Sequence, residues 1–79
     1  MIAPGQCRAA RALLNLSQKQ LADAAGVSLR TVQGFERGDR TLHRLAMNAI
    51  ERVLNDKGIV LITQTDWIGV KLKTSGNSA

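Results

Sequence analysis

The segment Ser17 to Gly38, SQKQLADAAGVSLRTVQGFERG, restricts the fold of this chain more than any other stretch. It holds two short runs of helical periodicity, each opened by a serine and closed by a glycine. Ser17 suits the N-cap of a helix over Gln18 to Ala25, because its hydroxyl can accept from a first-turn N–H that has no carbonyl partner. Gly26 follows that helix, where a left-handed backbone costs glycine little. Ser28 repeats the cap for a helix reaching Arg37, and Gly38 repeats the stop. Helices joined by so short a turn must touch at a steep angle. Ala22 lets the second helix come close, and Leu21, Val32 and Phe35 fill the space between them. The outer face of the second helix is left polar, with Ser28, Arg30, Thr31, Gln33 and Arg37.

The flanking chain supplies the rest of a core. Pro4 and Gly5 open a helix through Leu14, with Cys7, Ala10, Leu13 and Leu14 on one side, and Asn15-Leu16-Ser17 breaks it. Asp39-Arg40-Thr41 reads as a loop. A fourth helix is expected from Leu42 or His43 to Asp56, with Leu45 or Ala46, Ala49, Ile50, Val53 and Leu54 as its apolar stripe. Lys57-Gly58 stops it. Ile59 to Thr63 is then a β-branched run and Ile68 to Lys73 alternates, which predicts a hairpin around Gln64-Thr65-Asp66. The expected organisation is a helical domain over 1–58, a β-hairpin over 59–73 and a disordered polar tail over 74–79.

Charge narrows the class of partner. Eleven basic residues face six acidic ones, a net +5 at pH 7. Residues 1–44 carry seven of the basic and three of the acidic residues, so the front half holds +4 of it. That asymmetry suits a polyanion, and nucleic acid fits better than a membrane surface, since no basic amphipathic stretch carries large apolar anchors. No apolar run approaches membrane-spanning length, and no signal-peptide layout opens the chain, so a cytoplasmic setting is expected. Cys7 is the only cysteine, which excludes an intrachain disulfide and the usual zinc spacings, and it reads as a small core residue. His43 stands without a ligand constellation, and Ser17 and Ser28 have no His–acid arrangement nearby. No catalytic site, metal or cofactor is expected.

Gln18 to Arg37, with Arg11, Glu36 and Gly38, resembles the Cro/CI-type (Xre) helix-turn-helix family of transcriptional regulators. The likeness runs from about Gln6 to Leu54, and includes Ser-Gln at the start of the first motif helix and Phe-Glu-Arg-Gly at the end of the second. It implies a mainly α fold, a bundle of four or five helices, here with a C-terminal β-hairpin appended. Two positions depart from the pattern. Leu42 stands where relatives often have a proline opening the next helix, and Gly34 stands where many present a side chain to a base.

The resemblance places Leu29, Arg30 and Gly34 against base edges in the major groove of double-stranded DNA, with Gln33 as a further reader. Arg30 is suited to guanine O6 and N7, and Leu29 to a thymine methyl. Gln18 corresponds to a residue that fixes a phosphate at a helix N-terminus. Lys19, Ser28, Thr31, Arg37, Arg40 and Arg44 are expected on phosphate or sugar, where they add affinity and salt dependence. Arg11 and Glu36 are implied to be a structural ion pair between the first and third helices.

The hairpin sets a separate problem. Ile59 and Leu61 point to one face of its first strand and Val60 and Ile62 to the other, so covering helix four uses only one apolar face. Two subunits pairing through Ile59, Val60, Leu61, Ile62, Trp67, Ile68 and Val70 would cover the rest and make a homodimer. The function expected is a dimeric repressor or switch regulator on an inverted-repeat operator, in its own or a neighbouring promoter. The alternative is an antitoxin or anti-activator whose hairpin holds a protein partner and whose DNA binding is autoregulatory.

Overall fold

Local capping chemistry sets most of the element boundaries in the computed structural model, which describes residues 1–74. Helix α1, Pro4–Leu14, has proline in its first turn, where the missing N–H is no loss. Gln6 supports that turn by accepting from the Ala3 N–H at 2.9 Å. Asn15 ends the helix in a left-handed conformation, φ 54°. Helix α2 is Gln18–Ala25. Ser17 Oγ accepts from the Gln20 N–H, and Gln20 Oε1 accepts from the Ser17 N–H, both at 2.9 Å, a reciprocal capping box. Helix α3 is Leu29–Arg37, with Ser28 Oγ accepting from the Thr31 N–H at 3.0 Å. Gly26 at φ 72° and Gly38 at φ 82° close α2 and α3 in the left-handed region that a side chain would strain.

Helix α4, Arg44–Asp56, starts later than expected. Leu42 lies in the preceding loop and is buried, and His43 is the N-cap, its Nδ1 accepting from the Leu45 N–H at 3.4 Å. The inward stripe of α4 holds the expected Ile50, Val53 and Leu54, takes Ala46 rather than Leu45, and adds Met47. Met47, Ile50 and Leu54 are buried, Ala46 and Val53 half-buried, and Leu45 points to solvent at 73% exposure. Leu13 of α1, expected inside, is likewise exposed. Both sit at the edge of a helical stripe, where a shift of one position in the contact line moves a side chain out of the core.

The core joins Cys7 and Ala10 of α1, Leu21 and Ala22 of α2, Val32 and Phe35 of α3 and the α4 stripe. Helix α2 lies between α3 and α4, while α1 packs on α3. Ile2 is also buried, and its N–H donates to Glu51 Oε2 of α4 at 2.8 Å.

Strands β1, Ile59–Thr63, and β2, Ile68–Leu72, form an antiparallel hairpin with Ile59 opposite Leu72 and Leu61 opposite Val70. These four side chains share the inner face and pack on the core. The inner face meets two helices: β1 lies against α4 and β2 runs along α1. Ile59, Leu61 and Val70 therefore belong to the protomer's own core side, which corrects their expected place in a subunit interface. Ile59 is 2% exposed and unavailable to a partner. Val60 and Ile62 occupy the outer face, and Val60, Trp67 and Ile68 are 46%, 71% and 63% exposed. The disorder expected over 74–79 falls, from residue 75 on, outside the described residues.

Gln6 fastens the hairpin to α1. Its buried Nε2 lies at donor distance from Ile62 O and Gly69 O at 3.0 Å and from Thr63 Oγ1 at 3.2 Å, so one amide bridges both strands. Gln6→Leu strips these acceptors of a partner without emptying the space, and should cost about 1–3 kcal/mol in urea denaturation. Hydrogen exchange should show the loss concentrated in β1 and β2. Uniform acceleration across all four helices would contradict this local role.

Candidate nucleic-acid interface

A nine-residue helix can present one polar stripe if its other side is buried, and α3 is built that way. Val32, Phe35 and Glu36 point inward. Arg30, Gly34 and Arg37, at spacings of four and three, line the opposite side. Leu29 and Arg30 at the N-terminal end are exposed, and Thr31 and Gln33 are half-buried.

The orientation of this stripe is held by one carboxylate. Glu36 is 3% exposed, yet it accepts from three side chains of two other helices. Arg11 Nη2 and Nε donate to its two oxygens at 2.7 Å in a bidentate fork. The Cys7 thiol donates to Oε2 and Gln18 Nε2 to Oε1, both at 3.0 Å. Arg11 also donates through Nη1 to Leu16 O at 3.0 Å, tying in the α1–α2 link, and Arg8 donates to the Glu36 carbonyl. Burial alone would raise the Glu36 pKa, but the hydrogen bonds from Arg11, Cys7 and Gln18, with the Arg11 charge, outweigh it and bring it below its ordinary value. Its hydrogen bond to Glu36 holds the Arg11 pKa up. Burial, then the hydrogen bond to Glu36 and that carboxylate's charge, push the Cys7 thiol well above its usual range, so it stays protonated and donates.

Gln18 therefore has one amide hydrogen committed to Glu36 at the N-terminus of α2. Ser28 and Thr31 share a hydroxyl contact at 2.7 Å beside the α3 cap. Lys19 bridges to Asp23 at 3.0 Å and Arg37 to Asp39 at 2.8 Å, both on open surface, where such pairs hold weakly. Among the described residues Arg30, Arg40 and Arg44 have no acidic partner at salt-bridge distance. Gly34 is buried although it lies on the outer stripe, because the Arg40 side chain crosses it.

Several of these roles escape a reading of the sequence. Nothing in the spacing marks Cys7 or Gln18 as partners of Glu36, since they meet only across helices. Gly34 did carry a signal. A glycine inside a helix costs about 1 kcal/mol against alanine, and so points to something lying against it.

Two capped helices meeting at a tight turn, with a cation-rich outer face, define a helix-turn-helix DNA-binding unit. The family model described as Helix-turn-helix matches residues 8–61, from α1 into β1, and the chain belongs to this family, in its Xre/Cro type. It is a DNA-binding regulator, and no curated protein matches its sequence. Among the described residues no helix is long and apolar enough to cross a membrane.

The network predicts a strongly non-additive mutant cycle. Glu36→Met leaves buried donors without an acceptor and should cost about 3 kcal/mol or more, whereas adding Arg11→Met should recover part of that loss. The folded Glu36 pKa lies below its ordinary 4.5, so the unfolded chain takes up the proton first as pH falls. The stabilisation is thus complete above about 4.5 and lost as pH falls through the folded value. Urea midpoints at pH 7 and pH 3 should differ more for the native chain than for Glu36→Gln. Equal differences would remove Glu36 as the source.

Proposed function

We propose that this protein is a sequence-specific transcriptional repressor or switch regulator that binds an inverted-repeat operator as a dimer, in its own or a neighbouring promoter. The exposed stripe of α3, braced from behind by the Glu36 network, is the observation that carries this reading. With α3 in the major groove, Arg30 donates a fork to guanine O6 and N7, Leu29 packs on a thymine methyl and Gln33 reads a neighbouring base edge. Gly34 adds no side chain of its own. Gln18 turns its remaining amide hydrogen to a phosphate at the α2 N-terminus, and Lys19, Ser28, Thr31, Arg37 and Arg44 line the backbone around it. The protein acts in the cytoplasm, where it meets DNA directly.

So few readers per subunit cover a short half-site, which favours two copies. Half-site centres then lie about 10–10.5 base pairs apart or a multiple of that. Val60 and Ile62 on the outer hairpin face, with Trp67 and Ile68 exposed at its turn end, supply the dimer contact in this reading. The same exposed apolar residues favour a second reading, in which that surface holds a different protein and DNA binding is autoregulatory, as in an antitoxin. Sedimentation of the purified chain at micromolar concentration separates the two. A double-mass species that Val60→Glu with Ile68→Glu reduces to single mass supports the homodimer. A single-mass native species rejects it.

Site selection from random DNA should yield one sequence preference. Arg30→Ala should then relax one base pair per half-site at a cost of about 1–3 kcal/mol for each contact. Lys19→Ala should weaken all sequences alike and lower the salt slope by about one. An unchanged preferred sequence in Arg30→Ala would overturn this assignment of the groove-facing side.

A further inference from the structure

Arg40 lies outside α3, and from sequence alone it groups with the phosphate contacts. The structure puts its side chain across the reading stripe. A Cβ added at Gly34 would stand 3.3 Å from Arg40 Cβ, 3.4 Å from its Nε and 3.6 Å from its Cδ. A Cβ at position 34 would press on the stem of Arg40, which would have to shift slightly to admit it, and a larger side chain would have to displace that stem. The contact accounts for the burial of Gly34 on an outward-facing stripe.

The connection is short and firmly held. Gly38 turns the chain back at φ 82°, and the Asp39 N–H donates to the Gly34 carbonyl at 3.0 Å. Arg40 therefore leaves the backbone one residue after a hydrogen bond to the very residue that it covers. It also lines a shallow cleft with Ser28, Thr31, Leu42 and His43, on the same side of α3. Its neighbour Arg37 is engaged by Asp39, whereas no hydrogen bond or acidic partner holds the Arg40 guanidinium among the described residues. Its donor fork remains open to a ligand.

We infer that Arg40 is a specificity-determining residue, which reads a guanine in place of the side chain that Gly34 lacks. The inference rests on the reading of α3 as the element in the major groove. A side chain lying along the outer ridge enters the groove with the helix, and a planar fork there matches guanine O6 and N7. A phosphate contact needs only a positive charge at the groove's rim.

The test is quantitative site selection from random duplex DNA with the full chain, its folding checked by circular dichroism, for the native protein, Arg40→Ala, Arg40→Lys, Gly34→Val and the Gly34→Val/Arg40→Ala double variant. In Arg40→Ala, discrimination at one base pair of each half-site should fall roughly tenfold to a hundredfold while the other positions keep their preferences. Arg40→Lys should lose the same preference, because an ammonium cannot make the fork. Gly34→Val displaces the stem of Arg40, so it should weaken that base pair too, and the double variant should add little.

A uniform loss across sequences in Arg40→Ala, restored by Arg40→Lys, would make Arg40 a phosphate contact and overturn the inference. A shift at a different base pair in Gly34→Val would also overturn the link between the two residues. If the native chain selects no sequence at all, the groove reading of α3 fails and the inference falls with it. That outcome is distinct from the uniform loss in Arg40→Ala.

Discussion

The buried carboxylate of Glu36 is the contact on which the arrangement of the first three helices depends. A charge that far from water is costly, and it is tolerated because Arg11 meets it bidentately and Cys7 and Gln18 fill its remaining acceptor sites. The donors come from α1 and α2 and the acceptor from α3. One group therefore sets the angle between the helix pair and the angle of the pair to α1. Glu36 sits on the buried side of the helix that carries Arg30, so fixing it also fixes which side of α3 faces outward.

This gives a different meaning to the basic front half of the chain. Arg8 and Arg11 contribute to the net charge, but both guanidinium groups are engaged with Glu36, one at its carbonyl and one at its carboxylate. The cations left unpaired by acids among the described residues include Arg30 of α3, Arg40 of the loop that follows it and Arg44 at the start of α4. The long-range field still reflects the total charge, whereas short-range contacts depend on which donors the fold leaves open. The hairpin shows the same division at smaller scale. Its inner residues complete the core with Gln6 as their polar fastening, and on its outer face Val60 is left exposed beside Lys71.

Much of the fold was legible because its boundaries are local. Serine caps, left-handed glycines and a proline in the first turn act within three or four residues, so α2 and α3 follow directly from the chain. The antiparallel hairpin follows from alternation and a turn. Less legible were the features that depend on a neighbour's position. Leu13 and Leu45 belong to apolar stripes but lie outside the line of contact, while Ile2, Leu42 and Met47 are drawn inside. The start of α4 moved to Arg44 because burial of Leu42 holds the loop inward and leaves His43 to cap. Ile59 reads equally well as an interface residue or a core residue until the strand is seen against α4.

The recognition segment shows where that boundary falls for the site. By itself the sequence determined that Ser17 to Gly38 forms two capped helices around Ala22, Val32 and Phe35, with Arg30 outward, because helical spacing and capping are properties of adjacent residues. Only the tertiary structure decided that Glu36 gathers Arg11, Cys7 and Gln18, and that Arg40 covers Gly34. The first depends on side chains from three helices meeting at one carboxylate. The second depends on a loop folding back over the helix it has just left. Neither distance can be read from positions along a chain.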